Sequence, residues 1–160
     1  MDIPPGCVIE GTTFGHCPHR ITGEFAIPDG VTDIGHLAFA SCAFLTSIHI
    51  PESVTKIDDS AFSACHSLAS INIPEGVTEI GKWAFSGCNK LTCLIIPKAC
   101  SVAEHAFPPS CKIFKGSVAE YREHLVKNLV EERAGDGVDI VGMLAPTALN
   151  TVDSRCGRDI

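Results

Sequence analysis

The sequence is short of positive charge: 12 Lys+Arg face 19 Asp+Glu, a formal net charge of −7 over 160 residues. A surface of that sign repels phosphate backbones, which excludes a general nucleic-acid-binding face. Long apolar runs are also missing. A membrane-spanning helix needs about 18–20 consecutive apolar residues, so no transmembrane segment is expected. The opening Met-Asp-Ile-Pro-Pro-Gly has neither a basic stretch nor an apolar centre, and no secretory leader is expected from it. Asn72, Asn89, Asn128 and Asn150 all lack Ser or Thr two positions on, which removes N-glycosylation acceptors. No H-E-x-x-H, G-x-S-x-G, G-x-G-x-x-G or P-loop pattern occurs, so neither an enzyme nor a cofactor is expected. Aromatics make up only 6%, with one Trp and one Tyr, too few for the exposed platforms that sugar binding requires. With Phe at core positions, Trp83 alone is expected to be exposed.

Cysteine, by contrast, is plentiful. Nine Cys is an odd number, which leaves at least one thiol unpaired. With no leader in view, the cytoplasm is the expected compartment, and the cell surface is the alternative. The length suits one domain with an ordinary core.

A repeat organises what is present. Pro28, Pro51, Pro74 and Pro97 recur every 23 residues. Around them stand Ile27-Pro28-Asp29-Gly30-Val31-Thr32-Asp33-Ile34, Ile50-Pro51-Glu52-Ser53-Val54-Thr55-Lys56-Ile57 and Ile73-Pro74-Glu75-Gly76-Val77-Thr78-Glu79-Ile80. Ala38-Phe39, Ala61-Phe62 and Ala84-Phe85 follow at a fixed offset, then Cys42, Cys65 and Cys88, then Leu45, Leu68 and Leu91. The apolar alternation Leu-x-x-Ile-x-Ile predicts a short strand that Pro terminates, because Pro has no N–H for the ladder. Val-Thr-x-Ile predicts a second extended segment, and Ala-Phe-x-x-Cys a short helical or 3₁₀ turn closing the coil. A single coil cannot bury its apolar side. Stacked coils can, at about 4.8 Å per coil.

This pattern resembles the BspA-like (Treponema-type) leucine-rich repeats over roughly residues 25–116. The resemblance implies a right-handed leucine-rich-repeat solenoid, an α/β architecture, in a family linked to microbial surface adhesion and protein binding. About four 23-residue coils are expected. Residues 1–24 read as an amino-terminal cap or degenerate half-repeat, because Phe14-x-x-Cys17 echoes Phe39-x-x-Cys42. Residues 25–116 form the solenoid, whose fourth coil is irregular. Ser117-Val118-Ala119-Glu120 is a capping box opening a helix over 117–134, with Tyr121, Leu125 and Leu129 on one stripe. That helix is expected to cover the open end of the stack. Residues 135–160 are a tail without periodicity.

The Cys42, Cys65, Cys88 and Cys111 file carries the core period, so structural thiols are expected rather than redox or metal chemistry. Cys7, His16, Cys17 and His19 are the best zinc candidates by residue type, yet their spacing matches no finger pattern. A metal- or redox-sensing domain built on them is a distant alternative, and no metal site is expected. His36, His49 and His66 fall at variable coil positions and are expected to be exposed.

The partner surface is expected on outward strand positions. Glu24, Ser47, Ser70 and Cys93 form one file, and Ala26, His49, Asn72 and Ile95 the next. Thr32, Thr55 and Thr78 form a ladder beside the charged file Asp33, Lys56 and Glu79. Asp29, Glu52 and Glu75 make an acidic row that Lys98 ends. Ser47, His49, Ser70, Asn72, Cys93, Ile95 and Trp83 are the candidate binding residues. The function expected is a non-catalytic, monomeric protein-interaction module; a surface or secreted adhesin fragment of the same fold is the alternative.

Overall fold

The structure is a computed structural model that describes residues 7–18 and 21–133, with side chains through Asn128. Two ladders of short strands run along a solenoid. One contains β1 (Val8–Glu10), β2 (Thr13–His16), β4 (Asp33–Ile34), β6 (Lys56–Ile57), β8 (Glu79–Ile80) and β10 (Ser101–Val102), in the order β1-β2-β4-β6-β8-β10. The other contains β3 (Thr22–Ala26), β5 (Phe44–His49) and β7 (Ser70–Asn72), followed by a separate pair, β9 (Cys93–Ile96) and β11 (Lys112–Lys115). All pairings are parallel except β1 with β2. Asp33 pairs with Lys56 and Lys56 with Glu79, so one lap of chain is 23 residues there, as the prolines predict.

The core is a stack of identical positions. Phe39, Phe62 and Phe85 are fully buried, with ring centroids 5.1 Å apart at each step and planes within 6° of parallel. Phe14 extends this column at one end, 4.7 Å from Phe39, and Phe107 at the other, 5.2 Å from Phe85. The step matches the spacing of paired strands, which is why the rings stack with little tilt. Each such ring contributes about 1.5–3 kcal/mol through burial. Ile34, Ile57 and Ile80, and Leu45, Leu68 and Leu91, form parallel columns beside it.

The Ala-Phe-x-x-Cys segment is not a short helix. It is a run of turns. Ala38, Ala40 and Cys42 donate to carbonyls three residues back, while Leu37, Phe39 and Ser41 donate to Asp59, Ala61 and Ser63 of the next coil. A 3₁₀ helix would spend every N–H within itself and leave none to tie the coils together. Alternation solves this, at the cost of left-handed backbone at Leu37 (φ 58°) and Ser41 (φ 60°), repeated at Ser60 and Ala64. One glycine is required by close approach. Asp59 Oδ1 accepts from the Lys82 N–H at 2.6 Å, and a Cβ on Gly81 would lie 2.5 Å from the Asp59 nitrogen.

The helix α1 (Val118–Arg133) opens with the capping box: Glu120 N–H donates to Ser117 Oγ at 3.2 Å, and Ser117 N–H to Glu120 Oε2 at 2.8 Å. Its described contacts fall on the outer side of the last strands. Tyr121 packs on Phe114 with centroids 5.1 Å apart, and its hydroxyl lies 3.5 Å from Cys93 Sγ. Ile113 sits opposite the buried Leu94 in the ladder, yet it remains 37% exposed. The inward column is thus still open to solvent at Ile113 among the described residues, and the helix covers β9 and β11 from outside. Leu129 of the expected stripe and the expected tail, 135–160, lie outside the residues whose side chains or backbone are described.

Candidate binding surface

The outward files are where the alternation puts them. Glu24 pairs with Ser47 and Ser47 with Ser70; Ala26 pairs with His49 and His49 with Asn72. His49 and Asn72 are exposed, while Ser47 and Ser70 are half-buried. The row does not continue unbroken to Cys93 and Ile95. The ladder stops at β7, and β9 pairs only with β11. Cys93 and Ile95 are half-buried, Cys93 beneath Tyr121. The seven candidates therefore divide into three: Ser47, His49, Ser70 and Asn72 on one ladder, Cys93 and Ile95 beside the helix, and Trp83 on a different side of the coil.

Where β9 parts from β7, a cleft of about 190 Å³ opens at the proline corners. Asn72, Ile73 and Pro74 line it from one coil, Ile95, Ile96 and Pro97 from the next, and Val118 from the helix. Glu52 and Glu75 stand at its rim, both exposed. The rim carboxylates belong to the acidic row with Asp29, and none of the three makes an ion pair among the described residues. Lys98 ends the row, as the spacing predicts, but Glu120 of the helix holds its ammonium. Glu120 in turn has its pKa pulled below the ordinary carboxylate range, by Lys98 first and by the Ser117 backbone N–H second.

Trp83 is 50% exposed, and it is not the sole exposed aromatic. Phe44 is 65% exposed and Leu37 44%. The signal for Phe44 is present in the repeat: its equivalents one and two laps on are Ser67 and Lys90, both polar. Trp83 shares its position with Leu37, Ser60 and His105, and all four have left-handed backbone, which directs their side chains away from the turn.

The neighbouring face is a regular polar ladder. Thr55 Oγ1 donates to Thr32 O at 3.3 Å and Thr78 Oγ1 to Thr55 O at 3.2 Å. Lys56 lies 3.0 Å from Asp58 and 3.9 Å from Glu79, an exposed arrangement worth little to stability. His36, His49 and His66 are exposed. His36 Nδ1 and His66 Nδ1 each lie 2.9 Å from a carbonyl of the following coil, those of Asp59 and Gly87.

Three members of the cysteine file, Cys42, Cys65 and Cys88, lie in the core, whereas the fourth, Cys111, is only half-buried. Cys65 Sγ donates to Phe39 O at 3.0 Å and Cys88 Sγ to Phe62 O at 3.1 Å. Cys42, Cys65 and Cys88 are fully buried. The Cys42 thiol lowers the pKa of Cys65, but the Cys88 thiol and burial outweigh it and push Cys65 up to about 12. Cys42 is held far above the ordinary thiol range by the Cys65 thiol and by burial. The thiols of Cys42 and Cys65 therefore favour the protonated form, and the thiolate is the form that reacts or binds metal. Of the four residues weighed for zinc, Cys7 and Cys17 meet, His16 is exposed, and His19 lies outside the described residues. Among the described residues no group of three or more His, Cys, Asp or Glu is placed to hold a metal ion. No helix there is long and apolar enough to cross a membrane.

Residues 8–120 match the BspA type leucine-rich repeat region in six copies, so the chain belongs to that family. A leucine-rich cell surface protein of Faecalibacterium prausnitzii is similar at 28% identity and a TM-score of 0.49, covering 69% of this chain and 37% of that protein. The Treponema pallidum leucine-rich repeat protein is similar at 28% identity and a TM-score of 0.48, covering 66% of this chain and 62% of its own. A leucine-rich repeat protein of Bacteroides ovatus follows at 16% identity and a TM-score of 0.36, over 64% of this chain and 47% of that one. The chain thus spans well under two thirds of the first and third of these structures and slightly under two thirds of the second. No curated protein matches the sequence.

Proposed function

We propose that the chain is a non-catalytic protein-interaction module that binds through the outward ladder Ser47, His49, Ser70 and Asn72 and the cleft beside it. One observation carries this reading: the ladder ends at a mixed notch, where Ile95, Pro97 and Val118 stand beside Asn72 and the exposed carboxylates of Glu52 and Glu75. That chemistry suits a protein partner presenting an apolar side chain flanked by Lys or Arg. The stacked coils hold the site preformed, so little ordering entropy is lost on binding. Trp83, on another side of the coil, belongs to a second contact if the partner wraps the solenoid. A monomer suffices for this reading, since one chain supplies the whole notch.

The test is affinity capture by the immobilised intact chain, run beside Glu52→Lys/Glu75→Lys and Ile95→Asp variants, followed by titration of the captured protein. A partner held by the parent chain, weakened about tenfold or more by either change and released by salt, supports the reading. A partner that both variants retain undiminished contradicts it. Display at a cell surface, the role implied by the family resemblance, is proposed over the cytoplasm, and surface labelling of intact cells decides between them.

A further inference from the structure

We propose that Cys7 and Cys17 are a disulfide-forming pair whose closure staples together the two arms of the amino-terminal hairpin. The inference is independent of what the solenoid binds. Cys7 precedes β1 and Cys17 follows β2, and Val8 pairs with His16, so the two cysteines face each other one step beyond that pair. Directly opposed residues of an antiparallel pair have Cα atoms about 4.5–5.5 Å apart, inside the range a disulfide spans. Their sulfurs are already 2.8 Å apart.

That distance discriminates between chemistries. Two thiolates sharing a zinc ion at about 2.3 Å each would lie about 3.8 Å apart in a tetrahedral site. The observed approach is far shorter, and among the described residues no third His, Cys, Asp or Glu joins the pair in a metal-holding group. A bond between the sulfurs needs only a small further approach.

The pairing follows from position in the stack. Cys17 is the first member of the buried file, equivalent to Cys42, Cys65 and Cys88. In the interior, Cys65 and Cys88 donate to carbonyls of the preceding coil. Cys17 stands at the end of the array, where the hairpin takes the place of a preceding coil, and there its thiol meets another thiol. The interior members therefore have carbonyl partners and are fully buried, while the terminal member has a half-buried thiol beside it.

The order of events is set by access. Cys7 is half-buried, and Cys17 is fully buried. Burial, and next the Cys7 thiol, hold Cys17 well above the ordinary thiol range, so Cys17 is a poor first nucleophile. The oxidant is a small disulfide such as oxidised glutathione. The Cys7 thiolate attacks one of its sulfurs, forming a mixed disulfide and expelling one glutathione thiolate, which takes up a proton. Cys17 gives its proton to solvent and attacks the Cys7 sulfur, expelling the second glutathione thiolate. The sum is two protein thiols and one oxidised glutathione giving one protein disulfide and two reduced glutathiones.

The test uses the full chain equilibrated across ratios of reduced to oxidised glutathione, quenched with acid, alkylated and cleaved after Glu10, which separates the two cysteines. The result expected is a peptide carrying Cys7 joined to one carrying Cys17, abolished by reductant, with Cys42, Cys65 and Cys88 recovered as thiols. In Cys17→Ser, Cys7 stops at the glutathione mixed disulfide. In Cys7→Ser, which alters only a half-buried edge position, Cys17 stays a thiol. The oxidised parent chain should unfold about 5 °C or more above the reduced one, a difference that Cys7→Ser removes. Recovery of Cys7 and Cys17 as free thiols at the most oxidising ratio overturns the proposal, as does Cys7 joined elsewhere or left as a mixed disulfide in the parent chain. A disulfide that forms without raising the unfolding temperature overturns the staple.

Discussion

The thiol of Cys65 donates to the carbonyl of Phe39, 26 residues earlier and one coil below, at 3.0 Å. The repeat of cysteine is therefore explained by backbone satisfaction as much as by size. A methyl group at this site would fill part of the volume and leave the carbonyl without this donor. Cys65→Ala should lose about 1–3 kcal/mol in denaturant unfolding. In the native chain Cys65 should resist alkylation until the protein unfolds; rapid native labelling would show that the column breathes open.

Position along the Phe column sets the cost of removing a ring. Phe62 is central and fully buried, whereas Phe107 is half-buried at the last coil. Phe62→Ala should cost about 3–5 kcal/mol and Phe107→Ala about 1–2 kcal/mol. Equal losses would mean that the carboxy-terminal end is as well covered as the middle.

His49 tests the outward files from the other direction. It is exposed and pairs with Asn72 across the ladder. His49→Ala should leave stability within about 0.5 kcal/mol. A larger loss in thermal unfolding would show that this file packs against something.

The helix start is sensitive to acid. Glu120 accepts from Ser117 N–H and pairs with Lys98, and both lower its pKa in the fold. A carboxylate with a depressed folded pKa stabilises fully above its unfolded value, near about 4.3, and loses that contribution as pH falls through the folded value. Helical ellipticity should therefore decline on acidification more in the parent chain than in Glu120→Gln. Added salt should blunt the difference, because both side chains are exposed. Identical acid profiles would contradict the assignment.

The lap length, the inward columns and the outward files were legible because they repeat. Any feature recurring every 23 residues is written several times over, and Phe39, Phe62 and Phe85 stack as their spacing predicts. What was illegible occurs once or depends on backbone choice. Turns and a 3₁₀ helix share the same i to i+3 bonds, so the left-handed residues Leu37 and Ser41 are invisible to pattern alone. The parting of β7 from β9 has no counterpart in the strand order of the other coils among the described residues. Helix α1 bears a readable capping box, yet its resting place depends on where Phe114 and Cys93 present themselves. The outward position of Phe44 is legible as well, since its two equivalents Ser67 and Lys90 are polar.

The most direct test of the stacked-coil account is a set of nuclear Overhauser contacts between phenylalanine rings in a chain with selectively labelled Phe. The account predicts contacts from Phe14 to Phe39, Phe39 to Phe62, Phe62 to Phe85 and Phe85 to Phe107, and none between Phe39 and Phe85. A direct Phe39–Phe85 contact, or silence between Phe62 and either neighbour, would contradict it.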